Sequence, residues 1–470
     1  MSPDRPHSYG SGIHPRSDPQ EPAAMRYTAL PRVRSIGAAR AASTAAPAPG
    51  AAGGTAASGG GAAGGPRHIG RRIAVLAACG VLAVGCAKAG TAGTDSTDGN
   101  GGASSPVKVG LLYSKTGPLA AYGKQYLEGF KAGLDYATKG TGKVDGHPIE
   151  FVEQDDAGDP AKAVSGAKEL IGKGYKILAG STASGVALQV APFAAQNKVL
   201  FISGPAAADK VTALNKYTFR SGRQSYQDTL TAASFVGDAK GKKVTVLAQD
   251  SAFGQANVAA VKAVLGKEGA TVDAVLAPPS ATDLTPFATQ AKAAKPDLLF
   301  VAWAGETASA LWTSLNQQDV FSSTRVVTGL DLAASYPLFG PAGEKISFLN
   351  HYFAGAAGTD IEKAMTEAVA KGGSKPDIFT PDGFTAAQMV VHAVEANKGS
   401  ADDTAALVKA LEGWSFDGVK GHLTVRAEDH ALLQPMFQVR LTGSGAAAKP
   451  TVEKVLPAEQ VAPPVLAMVG

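Results

Sequence analysis

The chain has 470 residues, of which 45% are hydrophobic and 18% are charged, a composition typical of a globular protein. A chain of this length exceeds what one hydrophobic core usually supports, so we expect two domains. The formal charge of +4 is unevenly placed: nine of the 44 basic and three of the 40 acidic residues lie within residues 1–86, which leaves a net charge of −2 for the rest. Without a basic run after that point, the composition argues against a nucleic acid partner.

The N-terminal region contains one strongly apolar run, at residues 73–84, which follows Arg67, Arg71 and Arg72. The run is too short to span a membrane as a helix, which needs about 20 residues. A basic flank, a short apolar run and small residues after it are typical of an export signal. We therefore expect the mature protein to be exported.

The export signal ends at Cys86, which Leu-Ala-Val-Gly precedes at 82–85. This resembles a bacterial lipobox, in which the cysteine is lipidated and becomes the new N-terminus. Cys79, after Leu-Ala-Ala, is the alternative site, but it would leave only a few apolar residues after the basic flank. We predict a disordered leader and lipoprotein signal over 1–86, lipidation at Cys86, and a flexible tether over 87–106 that anchors the protein to the outer face of the membrane.

From Val107 onward, short β-branched runs alternate with amphipathic stretches of helical length, which is the signature of a parallel α/β architecture. A first series of predicted strands covers 107–113, 149–154, 176–179 and 199–202. A second series covers 244–248, 272–276, 298–302 and 326–328. The remainder is predicted to hold a strand at 346–353, helices near 360–371, 382–397 and 402–412, and strands at 423–425 and 436–441.

Because that remainder is too small to build a third series, it must complete the two series already begun. We predict two doubly wound, Rossmann-like lobes joined by a hinge that the chain crosses three times. The N-terminal lobe is expected to comprise 107–224 and 352–427. The C-terminal lobe is expected to comprise 225–351 and 428–456, with a tail at 457–470.

Four motifs follow one another in the first series. They are Val-Gly-Leu-Leu at 109–112, Thr-Gly-Pro-Leu at 116–119, Tyr-Gly at 122–123 and Gln-Asp-Asp-Ala-Gly-Asp-Pro at 154–160. This ordered series resembles the leucine/isoleucine/valine-binding proteins of ABC transporters, over residues 107 to about 455. The resemblance implies the type I periplasmic binding protein fold, a venus flytrap that closes on a small molecule and delivers it to a transporter permease.

Open α/β sheets bind ligands beyond the carboxyl ends of their strands, where helix N-termini present free N–H groups. The turn at 180–185, Gly-Ser-Thr-Ala-Ser-Gly, opens a helix, and the resemblance assigns Ser184 to a ligand carboxylate. It also implies a backbone contact at Ala206, followed two residues later by a threonine. This chain has alanine at 206, 207 and 208, so the expected hydroxyl is absent.

In the second lobe the resemblance assigns Asp331 to a ligand ammonium, although an aspartate at a strand end is also a common helix cap. Phe253 matches an aromatic position that covers the ligand, Trp303 ends a strand near the same rim, and Tyr122 covers the ligand from the first lobe. Ordinary packing is the alternative for all three rings. Together these residues predict an apolar wall with a polar group at each end.

The first expectation for the ligand is a branched-chain or aromatic amino acid, and the absent hydroxyl keeps an aromatic or short carboxylate, or an amide, open. A ligand-binding sensor on the same fold is a further alternative. A serine hydrolase is a third, because Ser165 and Lys168 have the Ser-x-x-Lys spacing and Lys-Thr-Gly stands at 115–117. That triplet precedes the pair, in the wrong order, so we expect no enzyme. We also expect no cofactor and no metal.

Overall fold

The computed structural model describes residues 104–469, apart from the side chains at 340 and 341. The predicted leader, the lipidation site at Cys86 and nearly all of the tether lie outside the described residues. Within them, strands and helices form two α/β lobes, which confirms the predicted fold class.

The first lobe is built on a six-stranded sheet. In chain order its strands are β1 (Val107–Tyr113), β2 (Lys143–Val144), β3 (His147–Asp155), β4 (Ile177–Gly180), β5 (Leu200–Ser203) and β6 (Thr218–Arg220). Their order across the sheet is β2-β3-β1-β4-β5-β6. All neighbours are parallel except the β2–β3 hairpin. The helices between the strands are α1 (Ala120–Ala137), α2 (Pro160–Gly172) and α3 (Ser184–Gln196).

Alternation along the strands explains why helices cover both faces of this sheet. Leu111 and Leu112 are both fully buried, but Leu111 packs in the core beneath α1 and Leu112 in the core beneath α2 and α3. Asp159 caps α2 and Pro160 occupies its first turn. The residues that start each helix are therefore fixed at the carboxyl edge of the sheet.

The second lobe is built on a seven-stranded sheet in the order β16-β15-β11-β10-β9-β7-β8 once all strands are numbered. The remaining helices and strands are α4 (Ser225–Val236), β7 (Lys243–Gln249), α5 (Ala252–Val261), β8 (Thr271–Ala277), α6 (Thr285–Ala293), β9 (Leu298–Ala302), α7 (Ala308–Gln317), β10 (Arg325–Gly329), β11 (Ile346–Asn350), α8 (Asp360–Lys371), α9 (Thr380–Ala396), α10 (Thr404–Leu411), β12 (Ser415–Gly418), β13 (Gly421–Val425), β14 (Leu432–Leu433), β15 (Met436–Thr442) and β16 (Lys449–Leu456). A π-helical turn (Lys262–Gly266) continues α5, and a 3-10 segment (Ala333–Lys345) precedes β11. Strands β15 and β16 are antiparallel to their neighbours, while the central strands are parallel.

Up to the end of β16, the chain crosses between the lobes three times. The first crossing, at 221–224, leads from β6 to α4, and the second follows β11. Strands β12, β13 and β14 form a small third sheet whose side chains pack in the core of the first lobe, so the third crossing lies between β14 and β15. The first-lobe helices after the second crossing are α8, α9 and α10.

The C-terminal tail returns to the first lobe after β16 ends. Arg426 donates from Nη1 to the carbonyl of Pro463 at 2.8 Å, and the Val469 N–H donates to the carbonyl of Ala213 at 2.8 Å. Between them, the Leu466 N–H donates to Asp429 at 3.1 Å. The tail thus adds a further connection between the lobes. Over residues 104–469, no helix combines the length and the apolar character needed to cross a membrane.

Candidate functional site

The strand order reverses once in each sheet, between β1 and β4 in the first and between β7 and β9 in the second. Such a reversal is a switch point, where consecutive helices start on opposite faces and leave a crevice between them. The loops at the two switch points face each other across a cleft of about 500 Å³ that both lobes line. A smaller pocket of about 60 Å³ adjoins it and shares in its lining Tyr122, Arg223, Phe253, Ala304 and Phe379.

Ser184 is the first residue of α3 and lines the cleft with Thr182, Ala183 and Gly185. No side chain caps α3, so the N–H groups of its first turn are available to a ligand, and they favour an anion. The Ser184 hydroxyl oxygen accepts a hydrogen bond from the Ala208 N–H at 3.2 Å. Because a hydroxyl also has a proton to donate, Ser184 can donate it to an anion in the cleft.

Two arginines hold the loop that follows β5 and forms one wall of the cleft. Arg220 is buried and donates to the carbonyls of Ala206 at 2.6 Å and Ala208 at 3.0 Å. Arg223 donates from Nη1 to the carbonyl of Pro205 at 3.2 Å. Since these hydrogen bonds come from charged donors, they fix the loop firmly.

Ala206, a contact predicted from the sequence, lies next to the cleft but not in its lining. Its N–H donates to the carbonyl of Ser181 at 3.2 Å, and its carbonyl accepts from Arg220, so both of its polar groups already have partners. The neighbouring Ala207 lines the cleft instead. No alanine carries a hydroxyl, so this loop can offer a ligand only its backbone groups.

The motif at 154–160 fixes the rim of the cleft through Asp155. Its carboxylate accepts from the N–H groups of Lys115 and Thr116 at 3.0 and 3.1 Å and from the Thr116 hydroxyl at 2.7 Å. Lys162 adds an ion pair at 2.7 Å. Although burial opposes it, the hydrogen bonds from Lys162 and Thr116 lower the pKa of Asp155 below its usual range. The loop before α1 is therefore tied down, which places Tyr122 at the cleft.

Phe253 and Trp303 come from the switch point of the second sheet. Ser251 caps α5 by accepting from the Gly254 N–H at 3.2 Å, and Phe253 in the first turn lines both the cleft and the smaller pocket. Trp303 follows β9, lines the smaller pocket, and donates from Nε1 to the Thr307 hydroxyl at 3.0 Å. The two predicted rings are thus brought to the same region.

Asp331 lies just beyond β10 and lines the smaller pocket. Its Oδ1 accepts a hydrogen bond from the Tyr122 hydroxyl at 2.8 Å, so these two predicted residues meet across the lobes. Burial raises the pKa of Asp331 above its usual value. Of the six predicted ligand contacts, the structure brings Tyr122, Ser184, Phe253, Trp303 and Asp331 to the cleft or its smaller pocket.

Arg223 and Phe379 line both parts of the cleft and were missed by sequence reasoning. The Phe379 ring lies 4.7 Å from the Tyr122 ring, centroid to centroid, and the Arg223 guanidinium carbon lies 5.7 Å from the Phe379 centroid. Phe379 precedes α9, far from any predicted strand end. Arg223 lies in the first crossing. Its charge, at a position predicted to be in the hinge, was the feature of the sequence that could have indicated a role in the cleft.

The residues of the hydrolase alternative do not form a site in this structure. Ser165 is exposed within α2, and Lys115 forms an ion pair with Glu153 at 3.2 Å. Neither residue lines the cleft. In the part of the chain that the structure describes, no group of three or more histidine, cysteine or acidic side chains could hold a metal ion.

Comparison with known proteins agrees with this geometry. The family model for periplasmic binding proteins matches residues 106–447. The chain therefore belongs to the periplasmic binding protein family, and the predicted resemblance is confirmed. A curated relative, Leu/Ile/Val-binding protein homolog 3 of Brucella melitensis, is 27% identical over 339 residues, which cover 71% of this chain and 90% of that protein.

Two solved structures from Rhodopseudomonas palustris share the fold. A protein described as an ABC-type branched-chain amino acid transporter is 34% identical, with a TM-score of 0.63 and coverage of 77% of this chain and 99% of that one. An ABC transporter solute-binding protein in complex with p-hydroxybenzoic acid is 25% identical, with a TM-score of 0.69 and coverage of 75% and 97%.

Proposed function

We propose that this chain is an extracytoplasmic solute-binding protein that captures a small organic acid with an apolar or aromatic body and delivers it to an ABC transporter permease. One observation carries the proposal. The uncapped start of α3, with Ser184, lines a cleft of about 500 Å³ between the two lobes together with the rings of Tyr122, from the same lobe, and Phe253, from the opposite lobe. This volume suits a small molecule, and an anionic end and an apolar body would each find a matching wall.

The polar groups favour a simple acid over a zwitterion. Asp331 already accepts a hydrogen bond from Tyr122, and the loop after β5 has three alanines where a hydroxyl would help to hold an amino acid. A branched-chain or aromatic amino acid is the second candidate, because Asp331 lines the smaller pocket and could receive an ammonium group. The named relatives include both a branched-chain type and a binder of p-hydroxybenzoic acid.

Delivery requires that the lobes close on the ligand and that the protein is held near its transporter. We propose that residues 107–224 with 352–433 move as one lobe against 225–351 with 434–456, about the three crossings. We set the last boundary after 433, and not after 427 as expected from the sequence, because β14 pairs with β13 and Leu432 packs in the core of the first lobe. A lipid on Cys86 would anchor the mature chain to the outer face of the membrane. A ligand-binding sensor would have the same cleft but would not deliver its ligand to a permease.

The test is a thermal-shift screen of a chain beginning at Ala87, with benzoate, 4-hydroxybenzoate, leucine, phenylalanine and other amino and aromatic acids. We expect one or more acids to raise the melting temperature in a concentration-dependent way, because a ligand that binds only the folded state stabilises it by mass action. If no acid in the panel shifts the melting temperature, the proposed function is wrong. Ligand uptake by cells with and without the gene for this chain then separates a transporter subunit, whose loss abolishes uptake, from a sensor.

A further inference from the structure

We infer that Arg223 is the specificity-determining residue of the cleft, and that its guanidinium selects a ligand with an anionic carboxylate over the same molecule carrying a neutral amide. This inference rests on the proposed function and names the residue that sets its substrate class. Arg223 lies in the first crossing between the lobes and lines both the large cleft and the smaller pocket. A ligand in either space would therefore meet it.

Most of the hydrogen-bonding capacity of Arg223 is unused. A guanidinium has five N–H bonds. Among residues 104–469, the Arg223 guanidinium makes one hydrogen bond, from Nη1 to the carbonyl of Pro205. Its Nε has no hydrogen-bond partner there, although Asp228 Oδ2 lies 3.4 Å away, and the side chain is only 11% exposed. Buried donors in this state need an acceptor, which a ligand in the cleft can supply.

Arg220, three residues earlier, shows what a purely structural arginine looks like here. It is 1% exposed, it does not line the cleft, and it donates to the carbonyls of Ala206, Ala208 and Arg223. Its charge and hydrogen bonds therefore serve the loop and the crossing. Arg223 makes one hydrogen bond to this loop and an ion pair with Asp228, so most of its N–H groups remain available to a ligand.

The surroundings of Arg223 orient it toward the cleft. Phe379 lies against the guanidinium, with the central carbon 5.7 Å from the ring centroid, and Asp228 lies on the side of Nε. A guanidinium that stacks on a ring keeps its N–H edge free, and that edge matches a carboxylate with two parallel hydrogen bonds. Arg223 also contacts Pro205, on the loop whose alanines lack a hydroxyl, so it can replace the missing donor.

Arg223 should give the protein a measurable preference for an acid over the corresponding amide. A carboxylate offers only acceptors, whereas an amide would turn an NH₂ group toward donors and leave polar groups unpaired. A charge-assisted hydrogen bond lost in this way corresponds to an affinity loss of about 10- to 100-fold. We therefore expect the wild-type protein to bind an acid at least about 10-fold more tightly than its amide.

The experiment is isothermal titration calorimetry with acid and amide pairs at pH 7.5. The pairs are benzoate and benzamide, 4-hydroxybenzoate and 4-hydroxybenzamide, leucine and leucinamide, and phenylalanine and phenylalaninamide. Wild type, Arg223→Gln and Arg223→Lys are compared using the pair whose acid binds best. Arg325→Gln, at the amino end of β10 and outside the cleft lining, is the matched control.

The expected result is that Arg223→Gln abolishes most of the acid preference, Arg223→Lys reduces it, and Arg325→Gln leaves it unchanged. The ratio of acid to amide affinity is the decisive readout, because a merely structural role would weaken both ligands alike. If Arg223→Gln does not fold, the Arg223→Lys ratio decides. An unchanged ratio in the variants overturns the role of Arg223 alone, whereas failure of every acid to bind the wild type overturns the proposed function as well.

Discussion

The hydroxyl of Tyr122, in the first lobe, lies 2.8 Å from Oδ1 of Asp331, in the second lobe, and donates a hydrogen bond to it. The Tyr122 hydroxyl oxygen also accepts a hydrogen bond from the N–H of Gly305, in the second lobe, at 3.0 Å. Burial and the neighbouring Asp331 raise the pKa of Tyr122 well above its usual value, so the phenol keeps its proton. One side chain therefore links two segments of the opposite lobe.

Tyr122→Phe should weaken ligand binding by about 5- to 50-fold, because it leaves the carboxylate of Asp331 and the N–H of Gly305 without their partner when the lobes close. The ring and its packing against Phe379 are kept, so the melting temperature of the unliganded protein should change little. Titration calorimetry with the best-binding acid measures the effect. Equal affinities for wild type and Tyr122→Phe would show that this link does not stabilise the closed lobes.

At Gly305 the backbones of the two lobes approach each other closely. It has a φ of +83°, and a Cβ there would lie 2.7 Å from the carbonyl oxygen of Pro118 in the first lobe. Gly305→Ala should therefore hold the lobes apart and prevent ligand-induced compaction. The measurement is the radius of gyration by small-angle scattering, with and without saturating ligand.

Gly241→Ala is the control for that experiment, because Gly241 also has a positive φ, at +72°, but no atom within 4 Å of a Cβ. Both variants carry the backbone strain of a side chain at positive φ, whereas only Gly305→Ala adds the clash between lobes. Normal compaction in Gly305→Ala would mean that the lobes do not close along this rim.

A buried ionic cluster behind the cleft predicts a pH dependence of stability. Asp382 is fully buried in the first turn of α9, and burial raises its pKa to about 6. The charged groups that face it are Lys420, Arg223, Arg220 and Asp228, while His351 Nε2 lies 3.7 Å from Oδ1 and burial lowers its pKa well below the usual value. Neither carboxylate oxygen of Asp382 has a hydrogen-bond partner in the described part of the chain.

Between pH 4 and 6, the folded protein keeps a proton on Asp382 that the unfolded chain has released. This raised pKa stabilises the fold at low pH, and the stabilisation is lost as the pH rises through about 6. From pH 4 to pH 6 the free energy of unfolding should fall less in Asp382→Asn than in the wild type. The difference between the two falls should be about 3 kcal/mol. Urea unfolding at several pH values tests this, with the exposed Asp273→Asn as control. Parallel curves for wild type and Asp382→Asn would contradict it.

If Cys86 carries the lipid, as we propose, Cys86→Ser should abolish lipid attachment, because the variant lacks the thiol to be acylated. Metabolic labelling with a radioactive or clickable fatty acid should mark the wild-type protein and not the variant. Labelling that persists in Cys86→Ser and disappears only when Cys79 is also changed would move the site upstream.

The sequence predicted the strands that are buried on both faces, because short, largely apolar runs such as 107–113 and 298–302 are typical of strands covered by helices on both sides. It did not predict β6, which has three residues, or β16, an edge strand whose exposed side chains are mostly polar. Short and edge strands depend on pairing with a neighbour, which local sequence does not contain.

The residues of the candidate site also fall into a group that the sequence predicted and a group that it did not. Residues within five positions of the end of a predicted strand, such as Ser184, Phe253 and Trp303, could be placed at the cleft because strand ends converge there. Arg223 and Phe379 come from a crossing and from the start of a late helix. Their position depends on how distant segments pack, so no local pattern reveals it.

The most direct test of where the ligand binds compares variants of Ser184, which is proposed to bind the anionic end, and Asp331, which would bind a cationic end. With the best-binding acid, calorimetry should show that Ser184→Ala weakens binding by about 10-fold or more, since a charge-assisted hydrogen bond is lost, while Asp331→Asn changes the affinity by less than about 3-fold. A loss of about 30-fold in Asp331→Asn would instead identify a ligand ammonium and an amino acid. Unchanged affinity in both variants would contradict the placement of the ligand in this cleft.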